Sequence, residues 1–148
     1  MTIMSKKYNF PYLKTPKFKG MGADWRKRPL VPIMIRHKGI TVSYLALVDL
    51  GADFNVFHSD IASLLGIDLK MLKNQIPFGG IKKGNAQCKG YVASVELGIE
   101  KDFFDNTLVI FSDDISHNGY GILGQFGFFN YFKIIFDRSK YLLRLEKK

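Results

Sequence analysis

The sequence predicts an all-β protein, a closed β-barrel or sandwich that carries one or two short helices. Its 148 residues are 47% hydrophobic and 14% aromatic, which is enough apolar material for one domain with a buried core. From Pro29 onward, short apolar or alternating segments recur between turn residues, and only two segments have helical character. Many short strands with few helices are typical of barrels and sandwiches.

The predicted strands follow from alternation and from the turn residues that bound them. Residues 30–36 are apolar and β-prone, and His37-Lys38-Gly39 is a turn signal before residues 40–48, so the two segments form a hairpin. Lys82-Lys83-Gly84-Asn85 is a second turn signal, and Arg138-Ser139-Lys140 is a third. The expected strands are residues 30–36, 40–48, 54–57, 75–81, 87–97, 106–111, 133–137 and 141–146.

Two segments are predicted to be short helices. Residues 60–65 follow Ser59, a favoured N-cap residue, and precede Gly66, which suits the position just after a helix ends. Residues 125–132 bring three phenylalanines to one helical face, which indicates packing against a core. Residues 112–121, between the two helices, are expected to form a polar loop.

Positive charge is concentrated at the start of the chain. The chain carries 22 Lys and Arg against 13 Asp and Glu, a net charge of +9. Residues 1–48 hold ten of the basic residues and one acid, whereas basic and acidic residues balance over residues 49–148. We therefore divide the chain into a basic N-terminal arm, residues 1–28, and a domain, residues 29–148. Such an arm is typical of contact with nucleic acid or another anionic partner, and equally of a solvated extension.

Simple counts disfavour several classes of protein. No apolar run approaches the roughly 18 residues that a membrane-spanning helix needs, so no membrane contact is expected. The polar N-terminus has no signal-peptide pattern, and Cys88 is the single cysteine; both favour a cytoplasmic protein without disulfides or cysteine zinc sites. The segment with Asp113, Asp114 and His117 is interpreted as polar surface rather than a metal site, and no cofactor is expected.

A carboxylate follows directly on the apolar strand 40–48. Asp49 is succeeded after one residue by Gly51 and Ala52, and then by Asp53. Small residues permit a tight loop in which backbone N–H groups reach the carboxylate. Taken alone, this pattern also fits an aspartate that merely ends a strand in an Asx-turn, which is the commoner case.

Further motifs along the chain give the aspartate its context. Asp49-Leu50-Gly51-Ala52-Asp53 is followed by a glycine-containing hairpin around residues 78–85 and then by Gly121-Ile122-Leu123-Gly124 before a helix. This ordered series resembles the retropepsin-like aspartic proteases, particularly the single-domain bacterial relatives of the retroviral enzymes. The resemblance spans residues 29–146 and implies the acid-protease barrel with one lobe per chain.

The resemblance implies a homodimeric aspartic endopeptidase that acts on peptide or protein substrates. Asp49 would be the catalytic residue, and since no second Asp-x-Gly occurs, each chain would supply half of the site. The hairpin at residues 81–86 would be the flap that closes over substrate. The residues implied to bind substrate are Gly51, Ala52, Asp53, Gly79, Gly80, Ile81 and Ile122. Those implied to support the dimer and the active site are Leu50, Leu123, Gly124 and Gln125.

Two positions depart from the family pattern. Leu50 stands where the family has Thr or Ser, whose hydroxyl makes hydrogen bonds across the dimer, so a weaker dimer and lower activity are expected. Gln125 stands where a basic residue commonly pairs with the acid at Asp53, which leaves a hydrogen bond but no ion pair. Two alternatives stay open: a catalytically inactive peptide-binding or dimerisation module of the same fold, and a nucleic-acid-associated protein that uses residues 1–28.

Overall fold

The computed structural model describes residues 5–15, 26–72, 75–78, 88–115 and 120–148. These residues form twelve strands and two short helices, α1 (Ser59–Leu64) and α2 (Phe128–Tyr131). The strands are β1 (Lys7–Pro11), β2 (Leu13–Thr15), β3 (Arg26–Arg28), β4 (Leu30–His37), β5 (Ile40–Val48), β6 (Val56–His58), β7 (Gln75–Phe78), β8 (Cys88–Ile99), β9 (Asp102–Ser112), β10 (Tyr120–Leu123), β11 (Phe132–Asp137) and β12 (Leu142–Lys147). The prediction of an all-β fold with one or two short helices is confirmed.

The main sheet has seven strands in the order β4-β5-β10-β6-β9-β8-β7. Strand β4 also pairs with β8, through residues Met34 to Arg36 opposite Gly98 to Glu96, so the hydrogen-bonded ladder runs around from β8 back to β4. Its interior is filled by large side chains without polar groups, among them Ile33, Phe57, Phe111 and Leu123. A sheet that returns on itself leaves few open edges, which suits a chain made of short strands.

Strand β10 lies between the two strands that flank the predicted Asp49 loop. It pairs in parallel with β5, from Tyr120 opposite Leu45 to Leu123 opposite Val48, and antiparallel with β6 at Ile122 and Val56. This insertion brings the end of β10 directly beside the end of β5. The two motifs that are about 70 residues apart in sequence therefore meet at one end of the sheet.

The helices differ in detail from the prediction. The N-cap of α1 is His58, whose Nδ1 accepts a hydrogen bond from the Asp60 N–H at 3.1 Å, so the prediction of Ser59 as N-cap is wrong by one residue. The second helix is only Phe128–Tyr131, half the predicted 125–132. It starts late because Gly127 has φ +113, outside helical geometry, and because Phe126 forms a parallel bridge with Phe54 instead.

Several strand boundaries also differ. Strand β9 begins at Asp102 rather than 106, because β8 runs to Ile99 and the turn between the two is only two residues long. The predicted strand 54–57 is Val56–His58, with Phe54 reduced to an isolated bridge. The predicted strand 75–81 is described as far as Phe78. The flap residues 81–86 lie outside the described residues.

The described part of the predicted N-terminal arm is extended and packs against the domain. Strand β1 pairs antiparallel with β12, which also pairs with β11, so a second sheet has the order β1-β12-β11. Tyr8 is 1% exposed in the core, and its hydroxyl donates to the Asp102 carboxylate, which also accepts from Lys6 Nζ at 2.6 Å. The division of the chain at residue 28 stays a prediction.

Over the described residues, no helix has the length and apolar character needed to cross a membrane.

Candidate active site around Asp49

Asp49 is held at the end of β5 by backbone hydrogen bonds. Its N–H donates to Leu123 O at 3.0 Å, which fixes it against β10, and its own carbonyl accepts from the Ala52 N–H at 3.1 Å. The half-buried carboxylate accepts one hydrogen bond through Oδ1, from the Gly51 N–H at 2.9 Å. This contact is the Asx-turn that the purely structural interpretation predicts. From the described residues, however, Oδ2 receives no hydrogen bond, so a carboxylate oxygen is left for a ligand or a second copy of the chain.

The tight turn around the carboxylate depends on a small residue at position 51. A Cβ built on Gly51 would lie 3.3 Å from Asp49 Oδ1, closer than ordinary van der Waals contact. A side chain here would press on the carboxylate oxygen that the Gly51 N–H holds. The glycine therefore belongs to the site through its lack of a side chain as well as through its N–H.

The Asp49 loop is joined along its length to the segment that follows β10. The Gln125 N–H donates to Ala52 O at 2.9 Å, and the Phe126 N–H donates to Asp53 O at 2.7 Å. The Gln125 side chain donates from Nε2 to Leu50 O at 2.8 Å. Gln125 thus supports the loop through the carbonyl of Leu50, whereas the family pattern points to a contact with the Asp53 side chain.

Gly124 permits the close approach of these two segments. A Cβ at this position would lie 2.4 Å from Phe54 O and 2.7 Å from the Phe54 carbonyl carbon, which are impossible distances. Because the obstructing atoms are backbone, the loop would have to move as a whole to accept any side chain. Gly124 is buried, as is Leu123 before it.

Asn55 is a site-supporting residue that the sequence reasoning missed. Its side chain is fully buried; Oδ1 accepts from the Gly124 N–H at 2.9 Å, and Nδ2 donates to Leu108 O at 3.1 Å. Its backbone carbonyl accepts from the Ile110 N–H at 2.8 Å. The signal for it was present, since a carboxamide among the apolar residues 54–57 must find partners if it is buried. One residue thereby links β9 to the end of β10.

The other predicted site residues are distributed around this centre. Leu50 is 62% exposed, Asp53 is exposed, and Ala52 and Ile122 are half-buried. Gly79, Gly80 and Ile81, predicted to bind substrate, lie outside the described residues.

The polar residues after β9 have structural partners. The Asp113 carboxylate accepts from the Ser59 hydroxyl, and Asp114 Oδ2 accepts from the Lys89 N–H at 2.8 Å. His117 lies outside the described residues, among which no group of three His, Cys, Asp or Glu side chains could hold a metal ion.

Comparison with known proteins bears on the fold. Neither a family model nor a curated protein matches the chain. Among solved structures, a retropepsin-like aspartic protease from Rickettsia conorii aligns over 99% of this chain and 97% of its own, with a TM-score of 0.61 and 19% identity. The chain has the retropepsin-like fold. The retroviral protease-like domain of Ddi1 from Leishmania major also aligns, over 82% of this chain and 94% of its own, with a TM-score of 0.50 and 16% identity.

At such low identity the likeness to these retropepsin-like structures concerns the course of the backbone. Any function of the protein therefore depends on the residues of this chain. They provide a carboxylate with one oxygen that accepts no hydrogen bond from the described residues, in a loop whose small residues bring two backbone segments into contact.

Proposed function

We propose that the protein is a homodimeric aspartic endopeptidase in which two copies of Asp49, one from each chain, activate a water molecule. The observation that carries this proposal is the Asp49 carboxylate at the end of β5, held through Oδ1 by the Gly51 N–H in a retropepsin-like fold. Because Asp49 begins the only Asp-x-Gly of the sequence, a pair of such carboxylates requires a second chain.

The chemistry follows from placing two carboxylates in contact. Two such groups about 3 Å apart cannot both ionise, so they share one proton and titrate as a unit. The ionised member removes a proton from the bound water as the water oxygen attacks the peptide carbonyl carbon. The protonated member donates to the carbonyl oxygen, which gives a tetrahedral diol. The carboxyl that now holds the water's proton then donates it to the amide nitrogen, while the other carboxylate takes a proton from a diol hydroxyl. The C–N bond breaks, which releases an amine and a carboxylic acid and restores the shared proton. This shared proton favours activity at acidic pH.

Leu50 is proposed to weaken this enzyme. Its side chain can neither donate nor accept a hydrogen bond, so groups that a hydroxyl would pair across the dimer stay unpaired, at a cost of roughly 1–3 kcal/mol each. Its carbonyl is held within the chain by Gln125 Nε2 at 2.8 Å, while 62% of the residue is exposed and available for contact with a partner chain. We expect Leu50→Thr to strengthen the dimer and raise the rate of peptide cleavage.

The decisive experiment removes the carboxylate with the smallest change of shape. Asp49→Asn should abolish cleavage of a peptide library, whereas Asp105→Asn, the same change at an exposed position of β9, should not. Mixing experiments test the shared site: excess Asp49→Asn chain should suppress wild-type activity, because mixed dimers contain a single carboxylate. Wild-type rates in Asp49→Asn, or no suppression on mixing, would contradict the proposal.

The second candidate function is a catalytically inactive module of the same fold that dimerises and binds peptides. Leu50 is the feature that favours it, because it replaces a hydroxyl at the position next to the catalytic carboxylate. In that case the wild type should show dimerisation and peptide binding but no cleavage. Appearance of activity in Leu50→Thr, lost again in the Leu50→Thr/Asp49→Asn double variant, would identify this candidate. A cytoplasmic location stays a prediction for both.

A further inference from the structure

Two segments that are far apart in sequence, residues 13–28 and 137–141, meet on a positively charged surface. Strands β2 and β3 pair antiparallel, with Lys14 directly opposite Lys27. Both lysines are exposed, as are Arg138 and Lys140 in the turn between β11 and β12. We call the surface formed by Lys27, Arg138 and Lys140 beside Tyr141 the basic face.

Tyr141 connects the two segments of the basic face. Lys27 Nζ and the Arg138 guanidinium carbon each lie 4.4 Å from the centre of its ring. The Tyr141 carbonyl accepts from the Tyr12 N–H at 2.8 Å, and the two tyrosine rings pack edge to face at 6.1 Å. Cations that are 111 residues apart in sequence are therefore held beside one aromatic ring.

Basic residues outnumber acids in the elements that form the basic face. Among residues 13–15, 26–28 and 137–141 the one acid is Asp137, whose Oδ1 accepts from the Ser139 hydroxyl at 2.7 Å and the Lys140 N–H at 3.2 Å. The positive potential is reflected in Tyr141: the hydrogen bond and charge of Arg138, assisted by Lys27, lower the pKa of its hydroxyl.

We propose that the basic face binds nucleic acid through its phosphates. The three cations lie on an exposed surface, whereas a cavity of about 320 Å³ elsewhere on the molecule is lined by charges of both signs, including Arg36, Glu96 and Asp105. Such a surface attracts a partner through its density of positive charge, whereas a cavity selects a partner by the shape of the side chain that fits it. Nucleic acid suits it better than an acidic peptide, because every nucleotide carries a charge and binding releases condensed counterions.

The basic face also adjoins the strand that carries Asp49. Strand β3 ends at Arg28, and the next residue, Pro29, accepts through its carbonyl from the Val48 N–H at 3.0 Å. Arg28 in turn donates to the Tyr120 hydroxyl of β10 at 3.3 Å. Nucleic acid on the basic face would therefore lie near the end of β5 that leads into the Asp49 loop.

The test is the salt dependence of binding to a fluorescently labelled DNA duplex, measured by anisotropy. If the three cations each contact a phosphate, the logarithm of the association constant should fall against the logarithm of salt with a slope of about −2 to −3. The Lys27→Gln/Arg138→Gln variant should lower affinity at least about tenfold in low salt and reduce the slope by about 2. Circular dichroism verifies that the variant is folded.

A matched control separates the basic face from net charge. Lys70→Gln/Lys101→Gln removes two exposed lysines from other surfaces and should leave the slope unchanged. An equal loss in this control, a slope near zero, or stronger competition by polyglutamate than by DNA of equal charge would each overturn the proposal. Because Asp49→Asn should bind DNA as the wild type does, this result is independent of whether the protein is a peptidase.

Discussion

The Asp49 loop and the basic face are built in opposite ways. The loop is formed by two compact segments, 49–55 and 121–127, joined by backbone hydrogen bonds at 2.7–3.0 Å and packed so closely that Gly124 has no room for a Cβ. The basic face is formed by long, exposed side chains from two segments that are far apart in sequence. The first arrangement should fail abruptly when one atom is added, whereas the second should respond gradually to charge and salt.

The largest effect is expected where the two segments touch. Gly124→Ala puts a Cβ within 2.4 Å of Phe54 O, and because backbone obstructs it, overpacking should cost at least about 3 kcal/mol of unfolding free energy. Urea denaturation followed by circular dichroism measures this loss. Gly51→Ala is the informative counterpart, since its Cβ would meet only the movable Asp49 carboxylate at 3.3 Å. It should unfold near the wild-type midpoint yet lose peptidase activity; equal destabilisation of both variants would contradict this account.

The next effect concerns the buried carboxamide of Asn55. Asn55→Leu keeps the branched shape and the number of heavy atoms but removes the hydrogen bonds to the Gly124 N–H and the Leu108 carbonyl, which should cost roughly 2–4 kcal/mol. The urea midpoint should fall while the denaturant slope stays constant. Asn55→Ser shortens the side chain but can retain one polar contact, so its urea midpoint should lie between those of the wild type and Asn55→Leu. A wild-type midpoint in Asn55→Leu would show that neither hydrogen bond stabilises the site.

Gly124 and Asn55 mark how far the sequence could predict the site. The Asp49 motif is one continuous stretch of sequence, and so is Gly121-Ile122-Leu123-Gly124. The residue types within each stretch therefore indicate a tight loop and its partner segment. Asn55 carries no such motif. Its role depends on the insertion of β10 between β5 and β6, a long-range pairing that leaves no local pattern.

The strands and helices show the same difference between local and long-range signals. Strands β4 and β5 were predicted to within one residue, because alternation and a Gly turn are local signals. The predicted second helix, residues 125–132, is twice as long as the observed one, because three phenylalanines at helical spacing resemble one amphipathic helix. In the structure Phe126 stacks beside Phe54 with ring centres 5.6 Å apart, while Phe132 begins β11. Tertiary packing decided between helix and strand there, and a single sequence does not contain that information.

A smaller effect tests how the N-terminal strand is attached. Burial of Tyr8 and its hydrogen bond to Asp102 raise the pKa of the tyrosine to about 12. Since the folded pKa exceeds the ordinary value of 10, the contribution to stability is complete below about pH 10 and is lost as pH rises toward 12. Tyr8→Phe should lose about 1 kcal/mol at neutral pH, and its stability should decline less than that of the wild type between pH 10 and 12.

Urea midpoints at several pH values measure the Tyr8 effect. Tyr91→Phe, which removes the hydroxyl of a half-buried tyrosine in β8, is the matched control and should keep the full alkaline decline. A decline in Tyr8→Phe as steep as in the wild type would assign the alkaline transition to other groups. Unlike the Gly124 contact, this attachment should weaken progressively as the pH rises toward 12.

The smallest effect distinguishes the basic face from the Asp49 loop most directly. Arg138 lowers the pKa of Tyr141 more than Lys27 does, so Arg138→Gln should raise that pKa further than Lys27→Gln, with little change in the urea midpoint of either variant. NMR titration of ring-labelled tyrosine measures both values. Adding DNA to the wild type should also raise the pKa of Tyr141, because bound phosphates offset the same two cations. If DNA left this pKa unchanged while binding elsewhere, the charge around Tyr141 would serve only to attach the two segments of the basic face to each other.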